Sequence, residues 1–281
     1  METVAALYRY PVKSMLGEAL TVVEVTERGL RGDRVAAVLD GAGAVGSAKH
    51  PRKWGELLRC RGRFDRDGSV VVELPDGGVL SAGDPELDTR LSKLLGRDVR
   101  VSQTPGEGEG GLLERAVPEY DGGAPDHARA SAVTDATGTA ITSGAVRPGT
   151  FFDFGTVHLV TTATLGSLRS AYPAGDFDAR RFRPNLVVDV PGGGTGFPED
   201  AWVGGNLRIG DALFRVLVPT PRCVVPTLAH AELPADPALM RTVAREHRIP
   251  VLDLGRLSCV GVYLEVLEPG AVRVGAPVTL V

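Results

Sequence analysis

Cysteine is scarce in this sequence, which holds three in 281 residues. Cys60, Cys223 and Cys259 form no CxxC pair and show no cysteine and histidine spacing typical of a zinc site. Three scattered cysteines also give little support to a framework of disulfide bonds. Because unpaired thiols persist in a reducing compartment, we expect the protein to be cytoplasmic.

Long apolar runs and blocks of like charge are missing as well. No stretch approaches the ~20 apolar residues that a membrane helix requires, and Arg9, Pro11 and Lys13 interrupt the N-terminus too early for a signal peptide. The 31 lysines and arginines stand against 35 aspartates and glutamates, a formal net charge of −4. Without a basic patch, we expect a protein that binds neither nucleic acid nor a membrane.

The sequence is rich in short valine-containing runs separated by Gly, Pro and Asp. Runs such as DRVAAVLD, NLVVDV and DALFRVLV predict many short strands. Hairpin turns are predicted at PDGG (75–78) and EPGA (268–271), where glycine supplies the positive φ of a tight turn. Apolar residues at helical spacing predict three helices, over 85–97, 162–172 and 236–248. The predicted fold class is mainly β with some α (α+β), as a barrel or a sandwich.

A stretch rich in Gly, Pro and Glu divides the chain. Residues 102–130 include TPGEGEGG and PEYDGGAP and show no periodicity, which predicts a linker or a mobile loop. The division leaves an N-terminal β part at 1–101 and a C-terminal α+β part at 131–281.

Cys223 has the most unusual neighbours, in the segment PTPRCVVPT (219–227). DALFRVLV predicts a strand, and the prolines that follow are expected to end it, which places Cys223 on a rigid loop just past a strand end. The positive charge of Arg222 would favour the thiolate, the form that attacks electrophiles and binds soft metals. A buried structural cysteine is the alternative that the residues alone leave open.

Arginines crowd the segment RRFRPNLVVD (180–189), immediately before an apolar strand. In an extended segment Arg181 and Arg183 point to the same side and can bind one anion, such as a phosphate or a carboxylate. A solvated pair of arginines is the alternative interpretation.

Two other segments offer basic or hydroxyl groups to an anion. Lys13 and Ser14 follow a proline at the end of the first predicted strand. The segment SAKHPRKW (47–54) holds Lys49 and Arg52, and it predicts either another anion contact or a solvated turn.

Hydroxyl groups and acids mark two more positions. Thr161 and Thr164 lie where a strand passes into a helix, which favours an anion site or simple N-capping. Glu199 and Asp200 in GFPEDAW either face a cleft or cap a turn. Four histidines have no spacing that supports a role as metal ligand or general base: His127, His158, His230 and His247.

Seven short motifs occur in the order typical of two-part MOSC proteins: YPVKS, GLRGDR, AKHPR, RFRPN, EDAW, PTPRC and VGAPVTL. The chain therefore resembles the MOSC family, named for the C-terminal domain of molybdenum cofactor sulfurase, over almost its whole length apart from 102–130. The resemblance implies an N-terminal β-barrel-like region followed by a β-barrel MOSC domain with a few helices. Within this family, the chain is similar to the mitochondrial amidoxime-reducing component and its bacterial counterparts.

The resemblance implies a molybdenum cofactor, in which molybdenum is bound to molybdopterin, with Cys223 as the protein ligand to the metal. A soft thiolate suits that role. By its place in the EDAW motif, Asp200 is expected to line the substrate side. The resemblance also implies a set of contacts to the phosphate and pterin of the cofactor: Lys13, Ser14, Lys49, Arg52, Thr161, Thr164, Arg183, Asn185 and Arg222.

The implied activity is that of a molybdenum-dependent oxidoreductase, which reduces N-oxygenated (N-hydroxylated) small molecules. The sequence shows no flavin, haem or iron–sulfur motif, so we expect a separate electron-transfer protein to supply electrons. Two alternatives stay open. One is a sulfur carrier or sulfurtransferase that holds a persulfide on Cys223, and the other is a protein that stores or delivers the cofactor.

Overall fold

The structure is a computed structural model that describes most of the chain. The described ranges are 1–103, 132–134, 140–142, 151–192 and 195–281. They belong to two compact units, of which the first comprises Met1–Arg9, Ala19–Arg31 and Gly155–Val281 and the second Tyr10–Glu18 and Gly32–Phe154. The predicted domain boundaries and the predicted linker stay predictions, because 104–131 lies outside the described residues.

Strands make up most of the described elements, and the prediction of a mainly β chain with a few helices is confirmed. In chain order the strands are Glu2–Arg9 (β1), Glu18–Leu20 (β2), Val22–Thr26 (β3), Gly29–Leu30 (β4), Ala36–Asp40 (β5), Arg61–Phe64 (β6), Val70–Glu73 (β7), Val79–Ser81 (β8), Val99–Gln103 (β9), Ala132–Thr134 (β10), Ala140–Thr142 (β11), Val157–Thr161 (β12), Leu186–Asp189 (β13), Asn206–Ile209 (β14), Ala212–Pro221 (β15), Arg248–Pro250 (β16), Arg256–Glu268 (β17), Gly270–Arg273 (β18) and Pro277–Leu280 (β19).

The helices are short. The α-helices are Pro51–Trp54 (α1), Pro85–Leu95 (α2), Thr162–Ala171 (α3), Ala179–Phe182 (α4) and Ala238–Glu246 (α5). In the described part of the chain, 3₁₀ helices lie at Gly55–Arg59, Pro198–Trp202 and Val225–Thr227. Within the described ranges, no helix combines the length and the apolar character needed to cross a membrane.

A closed barrel of seven strands forms the core of the first unit. The order around the barrel is β12, β13, β1, β19, β14, β15 and β17, and β17 pairs again with β12. Alternate residues of each strand point inward and fill the barrel with apolar side chains, among them Val4, Phe214 and Val262. Closure pairs each of these strands with a neighbour on both sides, which is the device by which barrels avoid exposed edges.

Gly261 allows β17 to close against β12. Its φ is +78°, and a Cβ atom placed there would lie 2.2 Å from the carbonyl oxygen of Leu159. The pairing of β15 with β17 also shifts in register between Pro219 and Pro221, close to this glycine. Only glycine tolerates both the left-handed backbone and so close an approach, and the resulting bulge fixes the end of β15.

Helices α3, α4 and α5 pack on the other face of three barrel strands. Val160 and Val187 have strand neighbours that fill the barrel, so these two valines point away from its interior, and Val260 packs with them in the same cluster. They form a second apolar cluster with residues from and near the helices: Leu165, Leu168, Phe177, Phe182, Leu239 and Val243.

The second unit contains small antiparallel sheets and α2. β5 pairs with β9, β7 lies between β6 and β8, and β10 pairs with β11. The N-cap Asp84 starts α2 and Gly96, with φ +65°, ends it, so that the helix buries Leu87 and Leu91 against Trp54 and its neighbours.

The turn and helix predictions have mixed outcomes. The helices predicted at 85–97, 162–172 and 236–248 are confirmed as α2, α3 and α5, and the hairpin at 75–78 is confirmed by the pairing of β7 with β8. The hairpin predicted at 268–271 is wrong, because β18 pairs with β3 and not with β17.

The expectation that prolines end the strand before Cys223 is also wrong, since β15 runs through Pro219 to Pro221. The pairing of β15 with β17 shifts in register at these residues, and a proline is tolerated at such an irregularity because it has no N–H group to place in the ladder.

Candidate functional site

Cys223 lies two residues beyond the end of β15 and carries a free, partly exposed thiol. Upstream, Pro221 pairs with Cys259, and the backbone N–H of Arg222 donates to the carbonyl oxygen of Ser258 at 2.8 Å. Downstream, the chain turns at once into the 3₁₀ helix at Val225–Thr227. The sheet therefore fixes the backbone on the upstream side of the thiol.

Arg181 holds the chain on the downstream side. Its side chain is fully buried. The guanidinium donates to four carbonyl oxygens, those of Asp176 at 2.8 Å, Pro226 at 3.3 Å, Leu228 at 3.2 Å and Pro234 at 2.8 Å. A planar guanidinium with five N–H donors suits such a set of acceptors. The backbone is thus braced on both sides of Cys223.

The extended segment predicted for RRFRPN is wrong. The carboxylate of Asp178 accepts a hydrogen bond from the backbone N–H of Arg180 and caps the short helix α4. Arg183 follows as the C-cap with a left-handed φ of 54°. Arg181 is buried against the loop after Cys223, so it does not act with Arg183 as a pair on one extended edge.

Arg222 connects the cysteine segment to α4. Its Nη2 atom donates to the carbonyl oxygen of Phe182 at 2.6 Å, and its guanidinium carbon lies 5.7 Å from the centre of the Phe182 ring. Its Nε atom is buried and has no hydrogen-bond partner among the described residues. Arg222 therefore keeps one N–H donor available beside Cys223.

Thr161 and Thr164 bind a carboxylate of the protein itself. Both are fully buried, and their hydroxyl groups donate to Glu199 at 2.7 Å each. Thr161 also accepts a hydrogen bond from the backbone N–H of Thr164 at 3.1 Å, so the N-capping interpretation is confirmed for Thr161. Their role as cofactor contacts stays a prediction. Burial raises the pKa of Glu199, against the hydrogen bonds from both threonines.

Asp200 pairs with His247, a residue that sequence reasoning left without a role. Oδ2 of Asp200 lies 2.6 Å from Nε2 of His247. The ring is buried and stacks on Phe197, with the ring centroids 3.7 Å apart. The two residues lie 47 positions apart with no motif between them, so nothing in the sequence marks the pair.

Asn185 braces two strands of the barrel. Its Oδ1 atom accepts from the backbone N–H of His158 at 3.1 Å, and its Nδ2 atom donates to the carbonyl oxygen of Tyr8 at 3.2 Å. The side chain is almost completely buried. Its role as a cofactor contact stays a prediction beside this structural role.

In the second unit, the ammonium groups of Lys13 and Lys49 both bind Asp153. Nζ of Lys13 lies 2.6 Å from Oδ1 of this carboxylate and also donates to the carbonyl oxygen of Phe151 at 2.9 Å. Nζ of Lys49 lies 3.2 Å from Oδ2. The structure thus brings two of the predicted anion contacts together on one carboxylate, which sequence reasoning missed because Asp153 carries no motif.

Ser14 and Arg52 complete the predicted contacts of this unit. Ser14 has a left-handed φ of 65°, and its hydroxyl oxygen accepts from the backbone N–H of Ala48 at 3.0 Å. Left-handed backbone at a residue other than glycine costs free energy and is concentrated at functional sites. Arg52 is exposed in α1.

The first unit is a closed barrel with a partly exposed cysteine, braced on both sides, just past a strand end. The chain belongs to the MOSC family: residues 147–279 match the family model for the MOSC domain, and residues 1–109 match the model for the MOSC N-terminal beta barrel domain. The predicted family and the predicted β-barrel fold are thereby confirmed. The MOSC family is associated with proteins that bind the molybdenum cofactor.

Three solved structures are similar to this chain. YuaD from Bacillus subtilis is 13% identical with a TM-score of 0.45, over 99% of this chain and 94% of that chain. YiiM from Geobacillus stearothermophilus is 20% identical with a TM-score of 0.34, and YiiM from Escherichia coli is 21% identical with a TM-score of 0.32. Each YiiM match covers 45% of this chain and 54% of that chain, about half its length. Curated proteins gave no match.

Proposed function

We propose that the protein is a molybdenum cofactor-dependent oxidoreductase that reduces N-oxygenated small molecules, with electrons from a separate electron-transfer protein. The observation that supports this most directly is the thiol of Cys223, which is partly exposed while the backbone on both sides of it is braced. A soft thiolate at a fixed position is a suitable ligand for molybdenum.

The donor set of the first unit fits such a cofactor. Cys223 offers the soft ligand, and Arg222 offers a buried N–H donor with no partner among the residues that the structure describes. The buried Oδ1 atom of Asp200 likewise has no partner in the described part of the chain. A bound cofactor would satisfy the Arg222 donor and a substrate would satisfy the Asp200 acceptor, since buried polar atoms are normally satisfied.

When bound, the molybdenum centre supplies two-electron chemistry with transfer of an oxygen atom. The net reduction breaks the N–O bond of an N-hydroxylated substrate, consumes two electrons and two protons, and releases water. The chain's own task is to bind and orient the substrate and to hold hydrogen-bonding groups beside it. Asp200, which is charge-paired with His247, is the residue that we assign to the substrate side.

The basic residues of the second unit keep their predicted role as anion contacts. The ammonium groups of Lys13 and Lys49 lie close together, since both contact the carboxylate of Asp153. Ammonium groups are suitable donors to a phosphate.

A sulfur carrier or sulfurtransferase is the second candidate. It is favoured by the same observation, since a partly exposed free thiol is also accessible for a persulfide. A cofactor-storing protein is the third. The Nε atom of Arg222, which has no partner among the described residues, favours a bound cofactor over a bare persulfide.

The test uses protein produced in cells that make the molybdenum cofactor. Reduction of an N-hydroxylated amidine is followed with an artificial electron donor, beside Cys223→Ala. We expect turnover in the wild-type protein and none in the variant. Metal-loaded protein without turnover would support a cofactor carrier, and a trapped persulfide on Cys223 in metal-free protein would support the sulfur carrier.

A further inference from the structure

The imidazole of His247 has an acceptor at each of its nitrogen atoms. Nε2 lies 2.6 Å from Oδ2 of Asp200, and Nδ1 lies 2.8 Å from the carbonyl oxygen of Cys259. A carboxylate and a carbonyl oxygen both require a donor, so both ring nitrogens carry a proton and the ring is an imidazolium. His247 is only 4% exposed, and its ring lies parallel to that of Phe197, with an angle of 5° between the planes.

The charged and titratable neighbours agree with this protonation state. Burial acts to lower the pKa of His247, but the hydrogen bonds to Asp200 and to the Cys259 carbonyl and the charges of Asp200 and Glu199 raise it. Burial also raises the pKa of the Cys259 thiol to about 12, so this thiol stays neutral. The positive charge of Arg222 acts in the opposite direction on the pKa of this thiol, without reversing the shift.

The two carboxylate oxygen atoms of Asp200 have different surroundings. Its Oδ2 atom is held by His247, whereas its Oδ1 atom is buried with no hydrogen-bond partner among the described residues. The pair is connected to the site through the backbone: His247 binds Cys259, and Cys259 pairs with Pro221, two residues before Cys223. Asp200 and Arg222, the neighbour of Cys223, both act electrostatically on Cys259, and a buried carboxylate oxygen is an acceptor for a ligand's N–H or O–H group.

We propose that His247 is a positioning residue, which holds Asp200 through Oδ2 so that Oδ1 accepts a hydrogen bond from the N–H or O–H group of the N-oxygenated substrate. This inference rests on the proposed function. Because His247 acts only through Asp200, its loss does no further harm once Asp200 has lost its charge.

Four variants of the cofactor-loaded protein test the proposal: Asp200→Asn, His247→Gln, the double variant and the control Glu246→Gln. Glu246 lies next to His247 but is bound to Arg245 at the surface. We expect kcat/KM to fall about 100-fold in Asp200→Asn and about tenfold in His247→Gln. The double variant should match Asp200→Asn, whereas Glu246→Gln should match the wild type. Molybdenum content should stay constant in all four.

Two readouts separate positioning from a merely structural role. In metal-free protein, the NMR titration midpoint of His247 should fall by about one pH unit or more in Asp200→Asn. In loaded protein, kcat/KM should decline at alkaline pH as His247 loses its proton, and this decline should be absent in His247→Gln.

The outcomes distinguish this inference from the proposed function. Wild-type protein that lacks molybdenum, or that reduces no N-hydroxylated compound, would overturn the proposed function and this inference with it. An active wild type, with His247→Gln equal to Glu246→Gln, would overturn this inference alone. Multiplied losses in the double variant, or an unchanged NMR midpoint in Asp200→Asn, would also overturn it.

Discussion

Arg222 donates a hydrogen bond of 2.6 Å to the carbonyl oxygen of Phe182, which lies 40 residues earlier in the chain. This bond joins the segment PTPRC to the segment RFRPN. The guanidinium also faces the Phe182 ring and leaves its Nε atom without a partner among the described residues. Arg222, next to the proposed metal ligand, is thus held by Phe182 and keeps its Nε–H group available for a bound ligand.

Arg222→Met should reduce molybdenum content about 10-fold or more, because outer-shell partners of a metal ligand typically contribute that much to metal affinity. Methionine keeps the apolar part of the side chain and removes the donors. The control is Arg208→Met, which removes a surface arginine that pairs with Glu268. Elemental analysis of both purified variants measures the effect, and equal metal content in the two would contradict the role of Arg222.

Arg181→Met should destabilise the protein by about 3 kcal/mol or more, since four carbonyl oxygens lose their donor in a buried place. Arg180→Met is the matched control: its guanidinium binds Asp178 and Glu232, is 39% exposed, and should change stability by no more than about 1 kcal/mol. Denaturant unfolding of both variants measures the difference. A loss in Arg181→Met no larger than in Arg180→Met would show that Arg181 does not brace the loop.

The stability of Glu199→Gln should increase relative to that of the wild type as pH rises. Burial raises the pKa of Glu199 in the folded state, so the folded protein binds this proton more tightly than the unfolded chain, whose value is about 4.3. Stability from this group is therefore present at low pH and is lost as pH rises from that value through the folded pKa. Glutamine does not titrate and removes this loss.

Thermal unfolding midpoints at pH 5 and pH 8 check this prediction. The difference between variant and wild type should shift in favour of Glu199→Gln at the higher pH. Glu268→Gln, at an exposed ion pair, serves as the control and should show no such trend. A pH-independent difference for Glu199→Gln would mean that Glu199 does not bind a proton more tightly on folding.

Lys13→Met should destabilise the second unit by about 2 kcal/mol, because it breaks the ion pair between the nearly buried Lys13 and the partly exposed Asp153. Lys49→Met should cost no more than about 0.5 kcal/mol, since Lys49 is 38% exposed. Trp54 is buried in the same unit, so its fluorescence in a Trp202→Phe background reports the unfolding. Equal losses for the two lysines would contradict this account.

Local patterns predicted the elements that local physics determines. α2 follows from leucine spacing and from Gly96 at its end, and the hairpin at 75–78 follows from glycine in a tight turn. The apolar run DALFRVLV predicted the strand that precedes Cys223. The family motifs predicted the barrel that the structure closes through β12 and β17.

Residues far apart in sequence determine what was missed. α4 is capped by Asp178, and Arg181 within it donates to four carbonyl oxygens. Three of these oxygens belong to residues more than 40 positions after Arg181 in the chain. The Asp200–His247 pair depends on how the 3₁₀ helix at Pro198–Trp202 meets the end of α5. No spacing rule connects such segments, so neither contact has a signature in the sequence.

The most direct test of the central claim is molybdenum content per chain, measured by elemental mass spectrometry on protein from cofactor-producing cells. The wild type is compared with Cys223→Ala and with Cys60→Ala, which removes a buried thiol of the second unit. We predict nearly one molybdenum per chain in the wild type and in Cys60→Ala, and a sharp loss in Cys223→Ala. Metal and pterin absent from all three proteins, or retained in full by Cys223→Ala, would contradict the assignment of Cys223 as the molybdenum ligand.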